Sequence, residues 1–391
     1  MIYLDNSATT FPKPDIMYDF MSDFYRKHGV NPGRSGFDAA IETEEIVFNT
    51  RRILTDLFNG GRDSNRLTFS YNATDSLNII LQGLSEKGDH VLATTLEHNS
   101  VLRPLYCMQQ QGIIDVTYIP FDNAGYIDPD DIRKAIQPNT KFLICTHSSN
   151  VIGTVQPLSE IGKICKEAGI IFVVDGSQGA GAVQVDMQAS NIDVYIFTGH
   201  KCLMGPTGIG GSYVREGIVI RQTRYGGTGV RSAYPAHLET YPYRLEAGTI
   251  NLVGIAGLNA GVKWVLEKGI DNLHHQEILL WNKLRLALQE IDRVILYCAT
   301  GIENQNPVLS FNIQGFEAAD VGAMLDVDYN IACRTGLQCA PKVHQQLNTA
   351  DIHGTVRLSL GPFNTEADID TTIDAIKDIA SITRKGRWGK V

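Results

Sequence analysis

The sequence predicts an α/β protein whose large domain holds a mostly parallel sheet covered by helices, followed by a smaller α+β domain. Between residues 65 and 215, short apolar runs rich in β-branched residues alternate with amphipathic stretches. Strands that are buried on both faces have continuous apolar sequences, and helices connect parallel neighbours. The length of 391 residues is enough for two or three domains with a sizeable core.

Five apolar runs predict the strands of the large sheet, and four segments with helical periodicity lie between or before them. The runs are DHVLAT (89–94), VTYIPF (116–121), KFLICTH (141–147), GIIFVVDGS (169–177) and VYIFTGH (194–200). The helical segments lie at 75–86, 98–111, 129–137 and 158–168. This alternation is typical of consecutive β–α units.

A second compositional block predicts the smaller domain. It contains the helical pattern GIAGLNAGVKWVLEKG, the strand-like runs VLSFNIQG (308–315) and TVRLSLG (355–361), and an amphipathic helix at 366–383. We therefore expect a large domain over 15–255 and a small domain formed by 1–14 and 256–391. The stretch 215–250 has weak periodicity and is expected to be functional or interfacial. The basic end RKGRWGKV (384–391) is expected to be a solvated tail.

The composition excludes several classes of protein. The net charge of −9 argues against a nucleic-acid binder, because phosphate neutralisation supplies most of that affinity. No apolar run reaches the length of a membrane span, and the first residues do not resemble a signal peptide. The seven cysteines are scattered and odd in number, as expected of free thiols in a reducing cytoplasm. No metal site is expected.

Polar and ionisable side chains follow three successive predicted strands. They are HSSN at 147–150, DGSQ at 175–178 and TGHK at 198–201. Ligands of open α/β sheets lie outside the carboxyl ends of the strands. We therefore expect these groups to converge on one shared site.

The residue types at these strand ends favour one cofactor. Pyridoxal phosphate needs a lysine for its Schiff base and a carboxylate for its pyridinium nitrogen, and Lys201 and Asp175 offer both. Thr74 begins a predicted helix after the short strand LTFS and could help to hold a phosphate, although alone it is better explained as an N-cap. The run GPTGIGG (205–211) is weak support for a dinucleotide, because the acidic ribose partner is missing.

At this point the chain resembles the class V, fold-type-I pyridoxal-phosphate enzymes, specifically the SUF-type (group II) cysteine desulfurases and the related selenocysteine lyases. The resemblance extends nearly from end to end. It is carried by YLDNSATT (3–10), NATDSLN (72–78), EHNS (97–100), SSNVIGTVQP (148–157), VVDGSQGAG (173–181), TGHKCLMGPTGIG (198–210), RLEAGTINL (244–252), CRTGLQCAP (333–341) and VRLSLGPFNTEADID (356–370).

The resemblance implies roles around the cofactor ring. Lys201 would carry the cofactor and shuttle protons, and Asp175 would pair with the pyridine nitrogen. Gln178 would hydrogen-bond the ring hydroxyl. His98 would stack on the ring and help to relay protons. Lys201, His98 and Cys339 form the implied catalytic set.

The resemblance also implies how the phosphate is held. Thr74, Thr198 and His200 would bind it from the same chain. Thr249, in EAGT, would reach the phosphate of the other subunit. This arrangement implies a homodimer with shared active sites.

The substrate groups are implied to come from the small domain and from one loop of the large domain. Asn150 and Arg357 would bind the substrate carboxylate, and Arg334 is a further substrate-binding residue. Cys339 would take the sulfur. It lies in a polar, Gly-containing segment without helix or strand periodicity, five residues after Arg334, which predicts an exposed loop with a nearby cation that favours the thiolate.

Two other cysteines are expected to be passive. Cys333 lies in the apolar run NIAC and is expected to be structural. Cys202 follows the lysine, and strand alternation would turn it to the opposite side.

The implied reaction is a desulfuration that converts L-cysteine to L-alanine and leaves a persulfide on Cys339. The sulfur would pass to an acceptor protein, as in iron–sulfur cluster assembly, and L-selenocysteine is a second candidate substrate. A selenocysteine lyase, a C–S β-lyase and a class V aminotransferase remain alternatives. A non-catalytic sulfur-transfer scaffold is a further alternative, although it would have no need for Lys201 and Asp175.

The chain departs from the family pattern at three positions. Relatives often carry histidine just before the catalytic cysteine, where this chain has Leu337 and Gln338. Phe37 stands where many relatives are expected to have a histidine. These changes remove possible proton donors, so the sequence leaves their effect on thiol activation and turnover open.

Overall fold

The computed structural model describes residues 1–32 and 37–382. The predicted tail at 384–391 and most of the NPGRSGF segment lie outside the described residues. The helices are α1 Asp15–His28, α2 Asp38–Leu57, α3 Ala73–Leu84, α4 Asn99–Gln110, α5 Pro129–Ala135, α6 Leu158–Ala168, α7 Leu252–Lys268, α8 Ile270–Gln289, α9 Ala318–Tyr329, α10 Pro341–Gln346 and α11 Glu366–Ser381. Within the described ranges, no helix is both long and apolar enough to cross a bilayer.

The strands form three sheets. They are β1 Ile2–Tyr3, β2 Leu67–Ser70, β3 Asp89–Thr94, β4 Ile114–Ile119, β5 Thr140–Thr146, β6 Ile171–Asp175, β7 Val194–Thr198, β8 Gly210–Val214, β9 Val294–Tyr297, β10 Val308–Ile313, β11 Ile331–Ala332, β12 Arg334–Gly336 and β13 Thr355–Ser359. The largest sheet has the order β2-β8-β7-β6-β5-β3-β4. Only β8 in this sheet runs antiparallel to its neighbours, so the predicted mostly parallel α/β sheet is confirmed.

The central strands are buried on both faces, which explains their continuous apolar sequences. In β6, Phe172 and Val174 pack into one hydrophobic cluster, and Val173 between them packs into the cluster on the opposite face. In β7, Tyr195 and Ile196 divide between the same two clusters. Successive strand residues point to opposite faces, so each central strand contributes to both layers of core.

The small domain is built on a four-stranded antiparallel sheet with the order β12-β13-β10-β9. Its core contains Trp281 of α8, Phe311 of β10 and Ile376 of α11, all fully buried. Leu4 from the N-terminal segment packs into the same cluster, beside the parallel pair of β1 and β11. The beginning of the chain therefore completes the core of its C-terminal part.

The helix α7 crosses the expected domain boundary at residues 255 and 256. Its side chains Ile255, Leu258 and Val262 are buried in a core cluster of the large sheet, and α7 packs against α1 and α2. The expected division therefore cuts a helix that packs as one piece with the large domain. The rest of the proposed domain ranges stays a prediction.

The glycine run at 205–211 serves the close packing of β8. A Cβ on Gly211 would lie 2.2 Å from the carbonyl oxygen of Thr68, and one on Gly210 would lie 2.8 Å from the Cα of Asn72. Only glycine avoids these contacts with the backbone. This close packing explains the glycine run without a role in dinucleotide binding.

The described residues of the stretch 215–250 form no helix or strand, and a buried ion pair anchors its end. Arg51 of α2 makes two contacts with Glu246: Nη1 lies 2.7 Å from Oε1, and Nη2 lies 2.8 Å from Oε2. The same Oε1 accepts a hydrogen bond of 2.7 Å from the backbone N–H of Phe69 in β2. A bidentate pair of this kind fixes direction as well as distance, so Glu246 ties the irregular stretch to the large sheet.

We expect Glu246→Ala to lower the free energy of unfolding by about 3–5 kcal/mol, because it leaves the Arg51 guanidinium buried and unpaired. Urea unfolding followed by circular dichroism measures the change. The matched control is Glu239→Ala, which removes an exposed carboxylate 4.0 Å from Arg244 and should cost at most about 1 kcal/mol. Equal small losses in both variants would contradict the role assigned to the Arg51–Glu246 pair.

Candidate active site

The three polar strand ends of the sequence analysis meet at one edge of the large sheet. β5, β6 and β7 are adjacent and parallel, and Thr146 at the end of β5 pairs with Asp175 at the end of β6. The backbone N–H of His147 donates to the carbonyl oxygen of Asp175 at 2.9 Å, and that of Gly176 donates to Ile196 at 2.8 Å. The three segments therefore lie side by side at this edge of the sheet.

Asp175 is buried, and its carboxylate is already oriented. Its Oδ1 accepts hydrogen bonds from the backbone N–H of Ser177 at 3.0 Å and from the Ser177 hydroxyl at 2.5 Å. Both contacts fall on one oxygen, so Oδ2 is the oxygen available to a further donor. A buried carboxylate with a free oxygen suits a protonated ring nitrogen.

Lys201 lies in a tight turn just after β7. The turn is closed by hydrogen bonds from Met204 N–H to the Lys201 carbonyl at 2.9 Å and from Gly205 N–H to the Gly199 carbonyl at 2.8 Å. Burial lowers the pKa of the Lys201 amine to about 8; Asp175 opposes this shift. A lowered pKa increases the fraction of free base at neutral pH, and the free base is the nucleophile that reacts with aldehydes.

Cys202 also lies in this turn, outside any strand. The argument from strand alternation, which placed it opposite the lysine, is therefore wrong: β7 ends at Thr198. Burial raises the pKa of the Cys202 thiol to about 12, so it is protonated at neutral pH.

The N-terminal segment holds this turn in place through the carbonyl oxygen of His200. That oxygen accepts hydrogen bonds from Lys13 Nζ at 2.6 Å, from the Thr9 hydroxyl at 3.1 Å and from the Thr10 N–H at 3.2 Å. The sequence reasoning missed Lys13. A lysine in a polar N-terminal stretch has the pattern of a solvated residue, and only its burial in the folded chain distinguishes it.

His98 precedes α4 and caps its first turn. Its Nδ1 accepts the backbone N–H of Ser100 at 3.0 Å, so the neutral ring carries its proton on Nε2. Burial lowers the pKa of His98 to about 4, and Lys201 adds to the shift. The ring is therefore neutral at pH 7 and can both stack and carry a proton on Nε2.

Hydroxyl groups link this histidine to the start of α3. The Ser100 hydroxyl lies 2.9 Å from His98 Nδ1 and 2.6 Å from the Thr74 hydroxyl. Asn72, not Thr74, caps α3, because its side chain accepts the N–H of Asp75 at 2.9 Å. Thr74 is thus not needed as a cap. Ser100 is a further site residue that the sequence reasoning missed.

Two buried polar atoms beside this edge have no hydrogen-bond partner in the part of the chain that the structure describes. They are the Thr198 hydroxyl and Nδ1 of His200. Thr198 of β7 pairs with Gly210 of β8, and Gly210 also pairs with Ser70 at the end of β2. Thr198 and the start of α3 are therefore separated by two strand spacings, ~10 Å. Buried polar groups are normally hydrogen-bonded, so these two atoms can bind a ligand or water. Together with the N-terminus of α3 they fit a phosphate.

Thr249 does not line the cavity that contains Thr74, His98 and Cys339, whose volume is about 700 Å³. It is exposed and lines a cavity of about 730 Å³ beside Arg51 and Glu246. It also lines a smaller cavity that Ser70 and Asp75 share with it, near the start of α3.

The two candidate substrate arginines share one carboxylate. Arg334 and Arg357 lie opposite each other on β12 and β13. Asp5 Oδ1 lies 2.7 Å from Arg357, and Asp5 Oδ2 lies 2.7 Å from Arg334. Arg334, predicted as the cation beside the thiol, is thus paired with Asp5. The sequence reasoning missed Asp5, because nothing in the pattern selects one acid among 43.

Arg357 is buried but keeps a donor free. One Nη donates to the carbonyl oxygen of Asn150 at 2.8 Å and the other to Asp5, whereas Nε is buried without a partner among the described residues. A substrate carboxylate could accept from this edge of the guanidinium. The Asn150 side chain is used elsewhere: its Nδ2 donates to the carbonyl of Gln338 at 2.7 Å.

Cys339 is exposed between β12 and α10, as its segment predicted, and lines the cavity that contains His98 and Thr74. Gln338, the residue before Cys339, is buried. The Gln178 side chain donates to the carbonyl of Ser7 at 2.9 Å and has one N–H left for a ligand.

Comparisons with known proteins show what the whole chain is similar to. The family model of class V aminotransferases matches residues 2–372. A cysteine desulfurase of Escherichia coli O157:H7 is 31% identical over 389 residues, which cover 97% of this chain and 93% of the relative. The apo structure of a cysteine desulfurase from Thermococcus onnurineus is 30% identical and superposes with a TM-score of 0.87 over 97% of this chain and 94% of that one. The Escherichia coli cysteine desulfurase CsdA gives a TM-score of 0.85 at 28% identity, over 97% and 94% of the two chains.

The lowered pKa of Lys201 predicts how fast the cofactor-free protein takes up pyridoxal phosphate at each pH. Because the free amine attacks the aldehyde, the rate should rise with pH and level off above about 8, the pKa of Lys201. Stopped-flow absorbance of the bound cofactor measures the rate. Asp175→Asn removes a charge that raises this pKa, so the midpoint should move to lower pH. A midpoint near the ordinary lysine value of about 10.4 would contradict the assignment.

Proposed function

Because the chain belongs to the class V aminotransferase family, we propose that it is a pyridoxal-phosphate-dependent cysteine desulfurase. It converts L-cysteine to L-alanine and retains the sulfur as a persulfide on Cys339. The observation that carries the proposal is the position of Cys339, which is exposed in a loop yet lines the cavity of His98 and Thr74. The near full-length similarity to proteins named cysteine desulfurase supports it.

The residues around the sheet edge fit the cofactor of this family. Lys201 would hold its aldehyde carbon, and Oδ2 of Asp175 would face its ring nitrogen. The unpartnered donors of Thr198 and His200 suit its phosphate. When bound, pyridoxal phosphate supplies an electron sink that acidifies the substrate Cα–H and makes the Cβ–S bond breakable.

The substrate is held and deprotonated by groups of this chain. Arg357 binds the carboxylate through its free edge, while Asp5 keeps the guanidinium in place. Lys201 removes the Cα proton and returns a proton to the product, a task suited to an amine with a pKa of about 8. His98 is neutral at pH 7 and lies close enough to Lys201 for the lysine charge to lower its pKa. It can relay a proton from Nε2.

The sulfur step balances without an added oxidant. The Cys339 thiolate attacks the substrate sulfur, an S–S bond forms, and the Cβ–S bond breaks. The electron pair of the broken bond stays on carbon, which takes up a proton and becomes the methyl group of alanine. One cysteine and one thiol thus give one alanine and one persulfide, which passes to an acceptor thiol, here proposed to belong to an acceptor protein.

The proposal includes a homodimer of this chain. Thr249 would complete the phosphate site of the partner, since it lines a different cavity in its own chain. That cavity is bordered by Ile41 and Phe48, whose side chains are half exposed and apolar. Apolar surface beside a functional segment is typical of an interface. The seven unpaired cysteines fit the proposed cytoplasmic location.

We expect Cys339→Ser to bind the cofactor and cysteine normally but to form no persulfide, because a hydroxyl is a far weaker nucleophile than a thiolate. Peptide mass spectrometry after one turnover detects the added sulfur atom. Cys333→Ser is the matched control: Cys333 is half-buried against the small-domain core, and burial raises the pKa of its thiol to about 12. It should keep persulfide formation.

A Cys339→Ser protein that desulfurates cysteine at the wild-type rate would refute the proposal. A β-lyase or an aminotransferase would then explain the fold better. Loss of cysteine desulfuration with retained lysis of selenocysteine would support it, because the weaker C–Se bond can break without a protein nucleophile.

The dimer prediction is tested by mixing two impaired variants at a cofactor concentration too low to load the Thr249→Ala sites. Lys201→Ala abolishes its own site, and Thr249→Ala weakens cofactor binding in the site of its partner. In a mixed dimer one site carries both defects and the other carries neither, so a fraction of the sites, about a quarter for random pairing, should regain activity. A monomeric mass with full cofactor occupancy, or no recovery after exchange, would contradict the shared site.

A further inference from the structure

The backbone at the candidate nucleophile has an unusual conformation. Gln338 and Cys339 both have positive φ, 39° and 57°. Two consecutive left-handed residues other than glycine are costly, about 1–2 kcal/mol each, and persist only where surrounding contacts hold them. The loop that presents the Cys339 thiol must therefore be fixed by specific partners.

The Gln338 side chain supplies two of these partners. It is buried, with Nε2 donating to the carbonyl oxygen of Thr355 at 2.8 Å and Oε1 lying 2.7 Å from Nε2 of His344. His344 is fully buried, and burial lowers its pKa to about 4, so the ring is neutral. Its Nδ1 lies 2.8 Å from the Thr349 hydroxyl, which leaves Nε2–H as the donor to Gln338.

The backbone of the same two residues is tied to the substrate and cofactor sides of the site. The Gln338 carbonyl accepts from Asn150 Nδ2 at 2.7 Å, and the Asn150 carbonyl accepts from Arg357 at 2.8 Å. The Cys339 carbonyl accepts from the N–H of Asn99, the first residue of α4, at 2.7 Å. The loop is thus connected to Arg357 through the single residue Asn150.

We propose that Gln338 is a positioning residue for the Cys339 thiol and that Asn150 couples this position to the carboxylate-binding Arg357. The inference rests on the proposed desulfurase function. In L-cysteine the carboxylate and the sulfur are separated by Cα and Cβ alone, so a carboxylate held on Arg357 leaves the sulfur little freedom. The attacking thiol must therefore be fixed relative to Arg357, and two hydrogen bonds through Asn150 provide that reference.

The first test is Gln338→Leu, which leaves the Thr355 carbonyl and the His344 N–H unpaired. A misplacement of about 1 Å can cost a factor of about 100 in rate, so we expect persulfide formation to fall at least about tenfold. The absorbance change of the bound cofactor on adding cysteine should stay, because Lys201 and Arg357 are intact. The control Leu337→Ala alters the exposed neighbour and should change neither. A folded Gln338→Leu protein with the wild-type persulfide rate overturns the proposal.

The second variant is Gln338→Glu, which gives a pH signature that a loss of stability alone would not. Its protonated carboxyl reproduces the donor to Thr355 and the acceptor for His344, whereas its carboxylate faces the Thr355 carbonyl without a proton. The ratio of variant to wild-type persulfide rate should therefore rise as the pH falls through the pKa of this carboxyl, which burial raises. A ratio that does not change with pH contradicts the role of the Gln338 donor.

The role of Asn150 is tested by a double-mutant cycle on persulfide formation. If Gln338 and Asn150 fix the same piece of backbone, Gln338→Leu combined with Asn150→Ala should lose at least about twofold less than the product of the single losses. Purely multiplicative effects would contradict the coupling.

One readout needs no turnover and separates this proposal from the proposed function. Hydrogen exchange followed by mass spectrometry should show faster exchange over residues 336–342 in Gln338→Leu than in the wild type and in Leu337→Ala. If the wild type forms no persulfide, the desulfurase proposal fails while this exchange difference still supports the positioning role. Equal exchange in all three proteins rejects the positioning role.

Discussion

The buried guanidinium of Arg357 determines how the parts of this molecule meet. A buried charge must be paired, because removing one partner from such a pair costs several kcal/mol, about 3–5. Arg357 lies on β13 of the small domain, its counter-ion Asp5 comes from the N-terminal segment, and its second acceptor is the backbone of Asn150 in the large domain. The pairing of one side chain thus brings three distant segments to the proposed substrate site.

The N-terminal segment continues this function beyond Asp5. A few residues later, Lys13 and its neighbours donate to the carbonyl of His200, the residue before Lys201. One short segment therefore contacts both Arg357 and the turn of Lys201, while Leu4 of the same segment packs in the core of the small domain.

Burial shapes the chemistry of the site by leaving groups uncharged or unpaired. It lowers the pKa of Lys201 to about 8 and that of His98 to about 4. It also leaves the Thr198 hydroxyl and Nδ1 of His200 without partners among the described residues. Each unsatisfied buried group costs about 1–3 kcal/mol, so a bound phosphate that accepts from them stabilises the folded state as well as filling the site.

Local sequence patterns were sufficient for the elements and for the strand ends. The run DHVLAT coincides with β3, and the predicted helix at 158–168 coincides with α6, because continuous apolar runs and helical periodicity are local properties. The α3 cap was missed, since Asn72 and Thr74 are both good caps and only backbone geometry chooses between them. The strand-alternation argument for Cys202 failed for a related reason: a strand end cannot be located to one residue from its composition.

Long-range pairings were beyond the reach of the sequence. Nothing local indicates that Arg357 selects Asp5, 352 residues away, or that α7 packs mainly against α1 and α2. These choices depend on the complete fold, where burial and shape determine which charges are close enough to pair.

The departures from the family pattern acquire a different meaning in the structure. Phe37 and Leu337 are exposed, whereas Gln338 is buried. Its amide offers a donor and an acceptor at once, which match a carbonyl oxygen and the N–H of a neutral imidazole. A histidine there could change its charge with pH, but an amide cannot. With Gln338 in place of a histidine, the base of the loop has no titratable group at this position. If Gln338 positions the Cys339 thiol as proposed, that placement does not depend on the protonation state of residue 338.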